Sequence, residues 1–227
     1  MTLLKSSFIK NYKDKILLCH VNHNLSKFAD SWVKHCKAQA DKWGVSLVIE
    51  NIKDTNFNGD GLELWARKAR YNIFNNHIEA ADILLTGHHM DDQAETFLLQ
   101  CLRGAGVSGM RAMPKVKEFG SGFLLRPLLD LSKEDFEKWA ALRKLSWIED
   151  DSNTDIKLDR NFIRHEILPK LEQRWPKAKL KFARASNFCQ QAMRVIDQNI
   201  DLEKYLEKDL NKYCSLNIKK IIEQENN

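Results

Sequence analysis

Apolar residues recur along this chain in two alternating rhythms. Ile16-Leu17-Leu18-Cys19-His20-Val21 is a short continuous apolar run, the pattern of a strand buried on both faces of a parallel sheet. After Asn22-His23-Asn24, the residues Phe28, Trp32, Val33, Cys36, Ala40 and Trp43 return at helical spacing, with Ser26 placed to cap the start and Gly44 to close the end. Residues 45–52 read as a second strand, and Leu62, Trp65, Ala66, Ala69 and Ile73 mark a second helix. A third strand over 82–86 runs into Gly87-His88-His89, and Ala94, Phe97, Leu98, Cys101 and Leu102 give a third helix opening near Asp91. Strands alternating with helices require crossover connections. The expected fold is therefore α/β, a parallel Rossmann-like sheet flanked by helices.

Farther along, 104–109 reads as a loop, and 116–119 with 123–125 as a hairpin at the sheet edge, turning through Gly120-Ser121-Gly122. Ser132-x-x-Asp135 is a capping signal before a helix carrying Phe136, Trp139, Ala140 and Leu142. The strand pattern stops after Trp147. Beyond Asp150 the chain reads as helical to about residue 210, interrupted by Pro169 and Pro176 and striped by Phe182, Cys189, Met193 and Ile196. Two regions are expected: an α/β domain over 1–150 and a helical, nucleic-acid-facing region over 151–227.

Composition narrows the classes. With 43% hydrophobic and 30% charged residues over 227 positions, the chain lies in the globular regime. A net charge of +5 fits a polyanionic partner without demanding one. Five cysteines, an odd number without a Cys-x-x-Cys pair, encode neither a disulfide framework nor a zinc ribbon, so a reducing, cytoplasmic setting is expected. No apolar run approaches the length of about 18 residues needed to cross a bilayer, so no membrane association is expected.

The densest chemistry is His88-His89-Met90-Asp91-Asp92-Gln93-Ala94-Glu95-Thr96, at the carboxyl end of an expected parallel strand, where open sheets bind ligands. Asp91 and Glu95 are four apart and Asp92 and Glu95 three apart, so the carboxylates share a helix face and could hold a magnesium ion bound to nucleotide phosphates. Helix capping accounts for one of the aspartates, not for the whole cluster. His20-Val21-Asn22-His23-Asn24 ends another strand and is either a second wall of the same crevice or a hydrogen-bonded turn. On the second helix, Arg67 and Arg70 suit phosphate, the alternative being a solvated face with a Glu63–Arg67 ion pair. Gly104-x-Gly106-x-x-Gly109 has dinucleotide-fingerprint spacing but follows a helix where the fingerprint needs a strand, so it is not a cofactor loop. Arg160 and Arg164, four apart, could grip a nucleic-acid backbone or belong to a capped helix start with local ion pairs.

In order, His20 to Leu25, Glu63 to Tyr71, Thr86 to Thr96, Arg103 to Met110, Arg126-Pro127-Leu128-Leu129, and Trp147 to Asn153 through Arg160-Asn161 resemble the N-terminal domain of the tRNA(Ile)-lysidine synthases. These are members of the PP-loop ATP pyrophosphatases, and the resemblance spans roughly 3–175. It implies an enzyme that uses ATP and Mg2+ to adenylylate the C2 carbonyl oxygen of the wobble cytidine of an isoleucine tRNA. Free lysine then attacks C2 and expels AMP. By the same resemblance, Asp91, Asp92, Glu95, Arg67 and Arg70 are catalytic, with Asp92 and Glu95 toward the metal. His20, Asn22, His88 and His89 line the nucleotide, and Arg103, Asp151, Asn153, Arg160, Asn161 and Arg164 face tRNA. The family's Ser-Gly-Gly-x-Asp-Ser phosphate loop is absent, and Met1-Thr2-Leu3-Leu4-Lys5 looks like the continuation of the helix that follows it. The expectation is thus an N-terminally truncated synthase, incomplete at its C-terminus too. A non-catalytic tRNA-binding remnant and a metal-dependent hydrolase built on the His/Asp cluster are the alternatives. The related tRNA thiolases are disfavoured, since many need paired cysteines for a cluster.

Overall fold

The computed structural model describes residues 12–24, 26–52 and 62–199, with two short strands at 206–208 and 214–216. Met1 to Lys5, Leu25 and the side chains of Glu63 and Asp151 lie outside the described residues. The chain divides into two compact units, Met1–His89 with Lys115–Asn153 and Met90–Pro114 with Thr154–Asn227. The passage at Asn153–Thr154 lies close to the boundary read at 150, whereas Met90–Pro114 groups with the helices beyond it.

In the first unit, β1 (Leu17–Asn22), α1 (Ala29–Trp43), β2 (Ser46–Asn51), α2 (Leu62–Asn76) and β3 (Ile83–Leu85) follow in the expected alternation. β1 and β2 are parallel, from Leu17 opposite Ser46 to Asn22 opposite Asn51, and α1 packs across both. Gly44 ends α1 in the left-handed region at φ 62°, and its N–H reaches Ala40 and Asp41 carbonyls. Ser26 does not cap α1 directly. Its hydroxyl accepts from the Phe28 N–H at 3.1 Å and shapes the turn before the helix.

The second sheet runs β3-β5-β4, with β4 (Val116–Phe119) and β5 (Gly122–Leu125) as the expected antiparallel hairpin and β3 parallel to β5. Gly120 turns the hairpin at φ 57°, and a Cβ at Gly122 would overlap the Asp82 carbonyl oxygen, so this crossing needs glycine. Burial of the strands on both faces is not what the structure shows. Leu17 is 48% exposed, Ile83 57% and Leu85 50%. Among the described residues β1 pairs only with β2 and β3 only with β5, so each is hydrogen-bonded along one edge alone.

α5 (Lys133–Leu142) starts where the capping signal put it. Ser132 Oγ accepts from the Asp135 N–H at 3.1 Å, and its hydroxyl donates to Asp135 Oδ2 at 2.6 Å. Ser132→Ala is expected to lower stability by about 1 kcal/mol in chemical unfolding, the usual worth of such a cap. Leu142, read as part of the apolar face, is exposed instead.

In the second unit, α3 (Met90–Leu102) packs along α8 (Ala178–Asn199), with Phe97 stacked on Phe182 at 6.0 Å between ring centroids. The 104–109 segment is only partly loop. After Gly104, in the left-handed region at φ 69°, the chain forms a single helical turn, α4 (Val107–Met110). Between α6 (Asp159–Phe162) and α7 (Leu168–Arg174), residues Ile163–Ile167 form a π turn. Pro169 gives the physical cause. It has no N–H for the His165 carbonyl, and its ring crowds that oxygen, so the turn widens rather than continuing as α.

Helix does not continue to residue 210. α8 ends at Asn199, and β6 (Leu206–Lys208) pairs antiparallel with β7 (Cys214–Leu216). The reading as helix extended the stripe of Phe182, Cys189 and Met193 too far, into strands of three residues that are too short to display a period of their own.

Candidate functional site

The strand ends of the first unit carry the polar groups. His20 from β1 and His89 from just beyond β3 line one pocket of about 490 Å³, within the range of small-molecule sites. α1 contributes Trp32 and Cys36, α5 contributes Phe136 and the charged Lys133 and Glu137, and the irregular segment after α5 contributes Trp147, Glu149 and Asp150, so aromatic rings and charged groups share the walls. That segment is tethered to α1 through a hydrogen bond from Gln39 Nε2 to Ser146 Oγ at 3.1 Å. Trp147 Nε1 donates to Glu149 Oε1 at 2.9 Å, keeping the indole and the carboxylate together at the rim.

The remaining strand-end residues are placed as follows. His88 Nδ1 lies 2.9 Å from Thr86 Oγ1. Asn22 is buried, and its Oδ1 accepts from the Asn24 N–H at 2.9 Å, holding Asn24 at φ 54° in a tight turn. His23 lies against Trp65, with centroids 6.3 Å apart. Burial and the nearby charge of Arg70 push its imidazole below the ordinary range, against an opposing pull from Asp150. Arg67 lies over the Tyr71 ring at 4.7 Å, and Arg126, 3% exposed, stands beside the same tyrosine. Burial lowers the Arg126 pKa, Tyr71 favours its charge, and Arg67 opposes it. Arg126 was quoted in the sequence only as part of a motif. Its burial follows the strand period, since Gly122, Leu124 and Arg126 fall on one inward face.

The second unit holds the carboxylates. Glu95, 1% exposed on α3, receives two guanidinium groups: Arg160 Nε on Oε2 at 2.7 Å, and Arg164 Nε on Oε1 at 2.7 Å with Nη2 on Oε2 at 2.9 Å. Asp92 Oδ1 accepts from Arg160 Nη2 at 3.0 Å and Arg164 Nη2 at 3.4 Å. Asp91 pairs with Lys179 of α8 at 2.7 Å, and Lys179 also reaches Glu172 at 3.4 Å. Both cations lose hydration by burial, yet Arg164 and Lys179 end with raised pKa values because the carboxylates hold their charge. Asn161 is buried and donates to the Asp155 carbonyl at 3.0 Å, while Arg103 lies exposed past the end of α3. The Asn153 N–H donates to the Asp150 carbonyl at 3.1 Å in a 3-10 turn of the first unit.

This arrangement bears on the metal reading. A divalent cation needs carboxylate oxygens free to coordinate it, and both oxygens of Glu95 are taken by guanidinium. Among the described residues, no group of three or more His, Cys, Asp or Glu is placed to hold a metal ion. Asp92 and Glu95 as they stand fit arginine, not magnesium. The candidate set is also divided: Arg67 and Arg70 belong to the first unit, and Asp91, Asp92 and Glu95 to the second.

The ATP_bind_3 family, described as a PP-loop domain, matches residues 1–171. The chain belongs to this family. The PP-loop domain is also 47% identical over 182 residues to a tRNA(Ile)-lysidine synthase of Methylococcus capsulatus, covering 80% of this chain and 42% of that one. With the tRNA(Ile)-lysidine synthase of Vibrio atlanticus it shares 40% identity over 208 residues, 91% of this chain and 45% of the other. It thus spans less than half the length of these curated relatives. Among solved structures, the U34-tRNA thiolase NcsA from Methanococcus maripaludis, with its [4Fe-4S] cluster, has a TM-score of 0.64 at 17% identity, over 88% of this chain and 69% of that one. That likeness concerns the fold. The free thiols of the PP-loop domain include Cys19, Cys36, Cys101 and Cys189, and no helix among the described residues is long and apolar enough to cross a membrane.

Proposed function

We propose that this PP-loop domain binds ATP in the first-unit pocket and serves the ligation of lysine to the wobble cytidine of an isoleucine tRNA. The observation that carries the reading is the meeting of His20, from the second half of β1, and His89, just beyond the carboxyl end of β3, on one cavity walled in part by aromatic rings. The family and the similarity to tRNA(Ile)-lysidine synthases support the same choice.

In the proposed reaction the C2 carbonyl oxygen of cytidine attacks the α-phosphorus of ATP, and pyrophosphate leaves. The lysine amine then attacks C2, and AMP departs with the electron pair of the broken C–O bond. Aromatic walls of Trp32, Phe136 and Trp147 suit a stacked base, and His20 and His89 supply polar contacts to the nucleoside. Arg67 and Arg70 are suited to the negative charge that builds as pyrophosphate departs. Asp91, Asp92 and Glu95 are the carboxylates assigned to the catalytic set, and Arg160 and Arg164 pair with Asp92 and Glu95. Magnesium would accompany the triphosphate and neutralise part of its charge. Arg103, Asp151, Asn153 and Asn161 are assigned to the tRNA side. The setting is the cytoplasm, where tRNA, lysine and ATP occur together.

Calorimetric titration of ATP is the test. His20→Ala and His89→Ala are each expected to weaken binding about tenfold, the equivalent of one lost hydrogen bond to a ligand. Equal affinity in the unaltered chain and both variants would remove the pocket as the nucleotide site. Labelled lysine entering isoleucine tRNA only in the presence of ATP, with AMP released, is the expected result for the reaction.

A further inference from the structure

We propose that Cys36 is a positioning residue that fixes His20 in its Nε2–H tautomer, so that the pocket offers an N–H donor to an acceptor atom of the nucleotide. This rests on reading the pocket as a nucleotide site.

Cys36 Sγ lies 3.5 Å from His20 Nδ1, a contact between α1 and β1, and both side chains line the cavity. A neutral imidazole has one nitrogen that donates and one that accepts, and the partner of one decides what the other can do. At His20 the Nδ1 side meets sulfur. Burial pushes the Cys36 thiol up and the His20 imidazole down, so near neutral pH the thiol keeps its proton and the ring is uncharged. A protonated thiol facing a ring nitrogen donates S–H to it, because imidazole nitrogen is a good acceptor and thiol sulfur a poor one. The ring proton then sits on Nε2. A donor at that position suits an electron-rich ligand, and nucleotides present acceptors on the base, the ribose and the phosphates alike.

A cysteine that merely filled the helix–sheet interface would leave the ring protons indifferent to its replacement. In α1, Cys36 follows Trp32 by one helical turn and also belongs to the apolar stripe, so the two roles can be told apart only by a readout on His20 itself.

The experiment uses the whole chain with 15N-labelled histidine and long-range 1H–15N correlation spectra near neutral pH, without ligand and then with ATP. The unaltered chain is expected to show His20 protonated at Nε2 and bare at Nδ1. Cys36→Ser keeps a donor and is expected to keep that pattern. Cys36→Val is expected to give a mixture of tautomers and to raise the ATP Kd about three- to tenfold. A His20 protonated at Nδ1 in the unaltered chain overturns the proposal, and so does a Cys36→Val variant with the same ring pattern or the same ATP affinity. Melting curves of both variants confirm that the comparison is made between folded proteins. Failure of the unaltered chain to bind ATP would sink the nucleotide reading itself, and the spectra of the ligand-free chain would still decide whether Cys36 sets His20.

Discussion

Glu95→Gln is expected to destabilise the second unit by about 3 kcal/mol, more than any substitution on the surface of the same helix. The carboxylate is 1% exposed and accepts from Arg160 and Arg164 through both oxygens. Glutamine has the same shape but no charge, and its N–H2 group must face at least one guanidinium, replacing attraction there by a donor-to-donor clash. Two partly buried cations would then have Asp92 as their remaining shared anion. The figure sits at the lower end of the range for breaking buried pairs because the arginine side chains keep 22% and 25% of their surface. Urea unfolding measures it. A change below about 1 kcal/mol would mean that the pairs behave like exposed ones. Replacing Asp92, Glu95, Arg160 and Arg164 together by apolar residues of similar volume is expected to restore most of the loss, since the penalty comes from unmatched charge rather than from missing volume.

The second large effect is expected at Gln93, on the buried side of α3. Its Oε1 accepts from the Met113 N–H at 3.0 Å, and its Nε2 donates to the Met113 carbonyl and to Ser186 Oγ, each at 3.0 Å. The Met113 carbonyl also receives Gln190 Nε2 at 3.2 Å, so its loss would be cushioned, whereas the Met113 N–H has Gln93 as its acceptor. Gln93→Ala leaves that N–H without its acceptor and opens a cavity, at a cost of about 2 to 4 kcal/mol. Gln93→Leu fills the space but not the hydrogen bond. Comparing the two variants by unfolding, with amide exchange at Met113 as the local readout, separates the contributions. Slow exchange at Met113 in both variants would show that another acceptor replaces Gln93.

What was legible in the sequence follows from range. The apolar runs of β1 and β3 and the polar groups that follow them are contiguous, so the sequence offered a crevice wall at His20 beside the alternative of a hydrogen-bonded turn, and His20 and His89 line one cavity. Gly44 and Ser132 act within one helical turn of their partners and were equally plain. The pairing of Glu95 with Arg160 and Arg164 was not, because 65 and 69 residues separate the partners. Helical spacing put the two arginines on one face and left open whether that face met a carboxylate or a phosphate backbone. Cys36 was hidden for the opposite reason: its place in the apolar stripe of α1 explained it fully as core, and only the distance to His20 gives it a second role. The half-open strands were misread because apolar runs state a preference for burial, not its completion by a neighbour.

The wide turn at Ile163–Ile167 gives the chain one residue more than an α-helix over the same span would hold. Taking out one residue after Arg164 would let the segment wind at ordinary helical pitch while Asp159 and the buried Leu168 stay close to their present faces. A single-residue deletion here should therefore be better tolerated than the same deletion in the middle of α8, where every downstream side chain would turn by about 100°.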